Sequence, residues 1–384
     1  MQSSSSVKAC FCVLSVLGAL AAQDKPAQTP PPRPPAPVVS PEVHTDATVT
    51  FRFRDPNAVE VKLWRDGADG VPMQKDDQGV WSVTTAPLAP DYYGYAFTAD
   101  GVRLLDPSNH DLVPSLLSPR NVVHVPGPSS LPWELNDVSH GEIHRHFYKS
   151  NVAGDDRDYY VYTPAGYNPA AKKTYPVLYL LHGFSDDASG WTAIGHANVI
   201  LDNLIAQGKA KPMIVVMPLG YGTMKFVHVG WDAWSNAELR DRNFEKFGEA
   251  LLTEVMPQVE GEYRITRDRN ARAIAGLSMG GKESLLTGLN NLDKFSWIGA
   301  FSSAGAPNED FQKDFPSLDA KANQQLHLLW IACGTEDGLI TVNRNLRAWL
   351  KTKGVKETEI ETPGMHTWMV WRRNLAEFAQ LLFR

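Results

Sequence analysis

A serine in a five-residue turn constrains this chain more than any other feature. Ser278 lies at the centre of Gly276-Leu277-Ser278-Met279-Gly280. Residues 271–275 before it read ARAIA, a short and mostly apolar run that predicts a buried strand. Residues 281–289 after it are compatible with a helix. A chain passing from strand to helix in so few residues must turn sharply, and small residues on both sides let the turn form. The serine hydroxyl then projects above the sheet, where a small molecule can reach it.

Two further side chains follow in a telling order. Residues 328–334 (LLWIACG) read as a buried strand that stops at a glycine, and Thr335-Glu336-Asp337-Gly338 forms the next loop. A carboxylate there lies at the carboxyl edge of the sheet, where α/β folds place their chemistry. Asp337 and Glu336 are both candidates. His366 falls in Pro363-Gly364-Met365-His366-Thr367-Trp368, just before a helix-like stretch at 371–382. The chain has 11 histidines, so a lone histidine means little. The order nucleophile, acid, histidine means more, because it is that of α/β-hydrolases and not of the chymotrypsin or subtilisin types. His366 would take the proton from Ser278 during attack, and the carboxylate would fix its tautomer. Residues 176–181 (PVLYLL) predict another buried strand, followed directly by His182-Gly183-Phe184. The N–H groups of Met279, next to the nucleophile, and of Phe184, after this early strand, are the candidate oxyanion donors. His182 reads as a support for that loop rather than a base.

Composition narrows the setting. A length of 384 residues allows two domains, and 43% hydrophobic residues is ordinary for a globular protein. The net charge of −6 argues against a nucleic-acid partner. Lys8 precedes a small apolar run at 9–22 in which Ala19-Leu20-Ala21 offers a cleavage site. Residues 1–22 therefore read as a secretory signal peptide, which predicts a secreted or periplasmic protein with no membrane attachment after cleavage. Of three cysteines, Cys10 and Cys12 lie within that segment. Cys333 alone remains, in a predicted core strand, so the mature monomer has no internal disulfide. No cysteine and histidine spacing points to structural zinc, and neither metal nor organic cofactor is expected. Residues 23–41 include PAQTPPPRPPAP and predict an extended linker.

Residues 42–125 read as all-β. Short alternating runs at 49–53, 59–64, 79–83 and 92–97 are separated by aspartate, glycine and proline, the spacing of a small sandwich. This segment resembles the early-set immunoglobulin-like domains that precede glycan-active enzymes. The likeness rests on FRFRDPNAVEVKLW, the GVW strand and YYGYAFTADGVRLLDPSNHD. Trp64, Trp81 and Tyr95 are candidates for stacking on sugar, with core packing as the alternative. A wall for the catalytic cleft is a further role open to this region.

From 126 to 384 strands and helices alternate, which means a mostly parallel sheet with helices on both faces. Antiparallel strands are expected at 141–148 and 157–163, buried strands at 213–217 and 295–302, and helices at 197–207 and 244–260. This part resembles the esterase D-like α/β-hydrolases, and most closely the feruloyl and acetyl-xylan esterases of carbohydrate esterase family 1. The matching stretches are YPVLYLLHGFSDDASGW, ANVILDNLIAQGKAKPMIVVMP, RAIAGLSMGG, IACGTEDGLI and the GMHTW loop. The resemblance implies a triad of Ser278, Asp337 and His366, with oxyanion donors at Phe184 and Met279. It implies a serine esterase acting on feruloylated or acetylated xylan and its oligosaccharides, with feruloyl preferred. Siderophore esterases and small-thioester hydrolases share the fold. Residues 219–239 (LGYGTMKFVHVGWDAWSNAEL) depart from the family pattern, and Trp231 and Trp234 are candidate contacts for a phenolic ring there. A non-enzymatic carbohydrate-binding role is disfavoured by the intact serine, acid and histidine order.

Overall fold

Alternation of apolar and polar residues builds the first part of the chain. The computed structural model describes residues 36–305 and 309–384, and Val38–Arg384 forms one compact unit. The expected signal segment, 1–22, and most of the proline-rich linker lie outside the described residues. Ten strands follow: β1 (Glu42–Val43), β2 (Val49–Arg54), β3 (Val61–Arg65), β4 (Ala68–Pro72), β5 (Gln74–Lys75), β6 (Val80–Thr84), β7 (Asp91–Ala99), β8 (Val102–Leu104), β9 (Leu112–Val113) and β10 (Arg120–Val125). They make two antiparallel sheets, ordered β1-β2-β6-β5 and β4-β3-β7-β10-β9, with β8 on β7. Val49, Phe51 and Phe53 point inward from the first sheet and meet Val61, Leu63, Tyr95 and Phe97 from the second, giving a sandwich with one shared core. Trp81 and Tyr95 belong to that core, with Trp81 donating Nε1–H to the Asp55 carbonyl at 2.9 Å. Trp64 is only half-buried, at the end of β3.

A larger, mixed sheet of eight strands follows: β11 (Glu142–Lys149), β12 (Asp156–Thr163), β13 (Val177–Leu181), β14 (Ile214–Pro218), β15 (Arg272–Leu277), β16 (Trp297–Phe301), β17 (Leu328–Gly334) and β18 (Thr358–Thr362). Their order is β11-β12-β14-β13-β15-β16-β17-β18. β11 and β12 run antiparallel, and the strands from β14 to β18 are mutually parallel. The apolar run of β13 is read by period two. Leu178 and Leu180 enter one core, and Val177, Tyr179 and Leu181 enter the other. Helices cover both faces, and the architecture is consistent with an α/β-hydrolase. The expected helix at 197–207 is Ala197–Ala206. The helix expected at 244–260 starts earlier, at Ala237–Ala250, and passes through a π turn at Leu251–Val255 into Met256–Glu262.

The segment joining the sandwich to the large sheet is pinned along its length. Asn203 donates from Nδ2 to the carbonyls of Pro132 and Glu134, both at 2.8 Å. Trp133 is buried, and the Glu134 carboxylate bonds the His124 ring and the Gly127 N–H at 3.1 Å each.

Candidate active site

The turn between β15 and the helix Met279–Leu289 holds Ser278 at φ 52° and ψ −115°, a backbone conformation that costs a non-glycine residue energy. The flanking glycines make it possible. A Cβ on Gly276 would sit 2.5 Å from the Gly280 carbonyl, and one on Gly280 would sit 2.5 Å from the His182 oxygen. The turn is tied in place as Ser278 N–H donates to the Phe301 carbonyl and its own carbonyl accepts from Ala304, both at 2.8 Å.

The acid and histidine loops reach the serine through β17 and β18. Strand β18, reading TEIET, pairs parallel with β17 and carries the chain to the loop of His366. The two loops are bonded to each other, Thr335 N–H to Thr362 O at 2.9 Å and Glu336 N–H to Gly364 O at 3.0 Å. His366 Nδ1 lies 2.8 Å from Asp337 Oδ2, and its Nε2 lies 3.0 Å from Ser278 Oγ. An ionised carboxylate can only accept, so Nδ1 carries the ring proton and Nε2 is left to accept from the serine hydroxyl. Asp337 is buried, whereas Glu336 is exposed to solvent. Burial pushes the Asp337 carboxyl up. Its bond to His366 and the Leu339 N–H at 2.8 Å outweigh this and hold it below the ordinary carboxylate value.

The loop after β13 passes close to the serine. A Cβ on Gly183 would meet Leu277 Cδ1 at 2.6 Å and Ser278 Cβ at 3.4 Å, so the backbone itself approaches Ser278 there. Met279 opens its helix, where the first N–H groups have no intrahelical acceptor. His182 is buried and bridges two loops, with Nδ1 on the Gly183 carbonyl and Nε2 accepting from Gly220 N–H, both at 2.8 Å. Burial pushes its pKa down, so the ring is neutral.

Ser278 and His366 open into a cleft of about 460 Å³. Phe184, Trp231 and Trp371 line it from the large-sheet side, and Trp64, Arg65, Asp66 and Arg120 line it from the sandwich. The Arg120 Nε is buried without a hydrogen-bond partner, and the guanidinium lies 6.0 Å from the Trp64 ring. Asp186, on the cleft floor, is pushed up to about 7 by burial, against the pull of Arg120. A cavity of about 530 Å³ lies elsewhere, lined by Phe244, Lys282 and Asp314 among others, and none of Ser278, Asp337 and His366 borders it.

The two loop tryptophans have different fates. Trp231 is 64% exposed at the cleft, its ring 4.9 Å from that of Phe184. Trp234 packs beneath, against Phe184, Phe226 and Phe244, and does not line the cleft. The sequence points to a wall from the sandwich as a region and singles out no residue of it. Arg65, Asp66 and Arg120 carry no local signal, since only the tertiary fold brings them to Ser278.

Residues 150–381 match the model of the family described as "Putative esterase". An endo-1,4-beta-xylanase/feruloyl esterase of Xylanibacter ruminicola is 32% identical over 352 residues, covering 90% of this chain and 46% of that protein. The chain thus spans about half the length of that relative. A ferulic acid esterase from Anaeromyces mucronatus, solved with ferulic acid, is 26% identical with a TM-score of 0.57, covering 67% of this chain and 96% of that one. An enterobactin esterase from Shigella flexneri shares the fold over 87% of this chain and 92% of its own, with a TM-score of 0.65 at 20% identity.

Proposed function

The chain belongs to the esterase family whose model covers residues 150–381 and is a carboxylic ester hydrolase; we propose that it removes hydroxycinnamoyl groups, feruloyl foremost, from xylan and its oligosaccharides. The unbroken hydrogen-bonded line from Asp337 through His366 to Ser278, at the base of an aromatic cleft, carries this reading. In it, Ser278 Oγ attacks the ester carbonyl while His366 Nε2 takes its proton and Asp337 stabilises the imidazolium. The N–H groups of Phe184 and Met279 hold the oxyanion. The sugar alcohol leaves with the proton from His366, and water activated by His366 then frees the acid. A phenolic acyl group suits a cleft of about 460 Å³ with Phe184, Trp231 and Trp371 on its walls, whereas an acetyl group would fill little of it. The two similar feruloyl esterases support the same choice.

In the same reading, residues 42–125 form an early-set immunoglobulin-like domain and 126–384 the α/β-hydrolase domain of a secreted or periplasmic protein. The test is Ser278→Ala with product analysis. Release of 4-nitrophenol from a short ester should fall by about 10⁴-fold or more, because triad members act as a unit. Wild type should release ferulate from feruloylated arabinoxylan faster than acetate from acetylated xylan. A folded Ser278→Ala protein that keeps a tenth of the activity refutes the site, and the reverse substrate ranking refutes the acyl choice.

A further inference from the structure

The loop after β13 is a tight turn. Asp186 N–H returns to the Gly183 carbonyl at 3.3 Å, with Phe184 and Ser185 at its two central positions. Ser185 has φ +77°, the value of the third residue of a type II turn, where glycine is normally required. Serine there is strained and needs outside support. That support comes from the sandwich. Its loop between β9 and β10, residues 114–119 (PSLLSP), begins and ends on proline. Ser115 Oγ donates to the Ser185 carbonyl at 3.0 Å, and Leu116 N–H donates to the same oxygen at 2.7 Å. The Ser115 hydroxyl in turn accepts from Ser118 N–H at 3.0 Å. A hydroxyl has one proton, so this arrangement commits it to Ser185. Leu117 packs beside the same turn, in the cluster of Phe184, Phe226 and Met279.

We propose that Ser115 is a positioning residue, through which the sandwich holds the Phe184 N–H in place for the oxyanion. The inference rests on the reading of Phe184 as an oxyanion donor. It gives the N-terminal sheets a part in the chemical step that is independent of any glycan they touch. An oxyanion exists only in the transition state and the tetrahedral intermediates, so a displaced donor lowers kcat and leaves ground-state binding alone.

Ser115→Ala in the full chain tests this with 4-nitrophenyl acetate, a small substrate that carries no sugar. We expect kcat to fall roughly 5- to 30-fold, short of the ~10²- to 10³-fold cost of deleting a donor outright. KM should stay within about two-fold, as expected when only transition-state contacts are lost. An arylboronic acid, which forms a tetrahedral adduct on the nucleophile, should bind more weakly by about the same factor, while inhibition by the product acid stays unchanged. Ser115→Thr, which keeps the hydroxyl, should restore kcat. An unchanged kcat overturns the proposal, as does a loss confined to KM or an alanine phenotype that threonine shares. Should Ser115→Ala fold poorly, Ser115→Cys keeps the size with a weaker donor, and wild-type kcat in that variant also overturns it. Ser278→Ala run alongside separates the two readings, since its activity alone decides whether the serine site is right.

Discussion

The sandwich meets the large-sheet region at two places that differ in character. One is dry and fully paired. Asp91, at the start of β7, and Arg372, in the C-terminal helix Trp368–Leu381, are both completely buried and bonded to each other. Arg372 also donates to Ile194 O at 2.6 Å and Tyr92 O at 2.8 Å. Tyr92 is stacked between His124 and His196, with ring centroids 4.2 and 4.0 Å away. The other meeting, at the cleft, is open. There Arg120 has a buried Nε with no acceptor and faces Asp186 without a direct bond. Unmet hydrogen-bonding capacity in a fold costs stability, so it persists where something else answers it. The paired contact holds the two regions together, whereas at the cleft Arg120 faces the buried Asp66 and Asp186 carboxyls across the opening.

The most severe break is removal of the sandwich altogether. A chain starting at residue 126 would expose Arg372 without Asp91, strip Met369 of its cover and leave Ser185 without Ser115. We expect a much lower melting temperature and loss of activity on 4-nitrophenyl acetate as well as on arabinoxylan. A soluble truncated protein with wild-type melting and full small-ester activity would show that the sandwich is merely tethered. Asp91→Ala breaks only the paired contact. It leaves a buried guanidinium without its carboxylate, a loss of about 3–5 kcal/mol, read from the midpoint of denaturant unfolding. Below that midpoint kcat should remain within a few-fold of wild type, because Asp91 does not border the cleft.

Arg120→Met should act mainly on turnover. It removes one unpartnered donor, Nε, and keeps the apolar stem, but it also takes a positive charge away from the buried Asp66 and Asp186 carboxyls, so melting should fall, though less than in Asp91→Ala. If Arg120 answers a polar group of the substrate, kcat/KM on feruloylated oligosaccharides should fall ~10- to 100-fold, the worth of a hydrogen bond to a charged group. Hydrolysis of 4-nitrophenyl acetate should hardly change. Equal losses on both substrates would place Arg120 with the structural contacts and erase the contrast between the two meetings.

What could be read from the sequence follows the same division. The strand, sharp turn and helix around Ser278 are local, and so is the loop of Asp337, which hangs from a short apolar run ending in glycine; the loop of His366 is marked only by Pro363-Gly364 and by the helix that follows. Strand β18 was not anticipated, since TEIET at a sheet edge has no apolar run to mark it. Trp64, Trp81 and Tyr95 sit in similar alternating strands, yet two enter the sandwich core and Trp64 faces the cleft. Periodicity says that a side chain leaves the solvent, not which surface covers it. Trp231 and Trp234, three residues apart in one 3₁₀ turn, separate in the same way. Arg120, Ser115 and Arg372 act across more than 60 residues of sequence, from Ser115 to Ser185, up to Asp91 with Arg372. Such pairs leave no local trace.

The smallest expected effect concerns acid and the paired contact. Burial, with Arg372 and His124 nearby, pushes His196 down to about 3, against an ordinary value of about 6.5. Between those values the unfolded chain binds a proton that the folded chain refuses. Stability from this group is therefore complete above about pH 6.5 and drains away as pH falls, by at most about 1.4 kcal/mol per pH unit. His196 has φ 51°, a conformation that asparagine tolerates well, so His196→Asn removes the titration with little backbone cost. The variant should be somewhat less stable at pH 7.5, because Tyr92 loses one stacking partner. Its melting temperature should then fall less steeply than wild type from pH 6.5 to pH 4. Asp337, held below its ordinary value, contributes an acid-sensitive slope of its own, and it cancels when the two proteins are compared. Parallel slopes would mean that protons reach His196 in the folded state, and that the contact around Tyr92 is wetter than its burial implies.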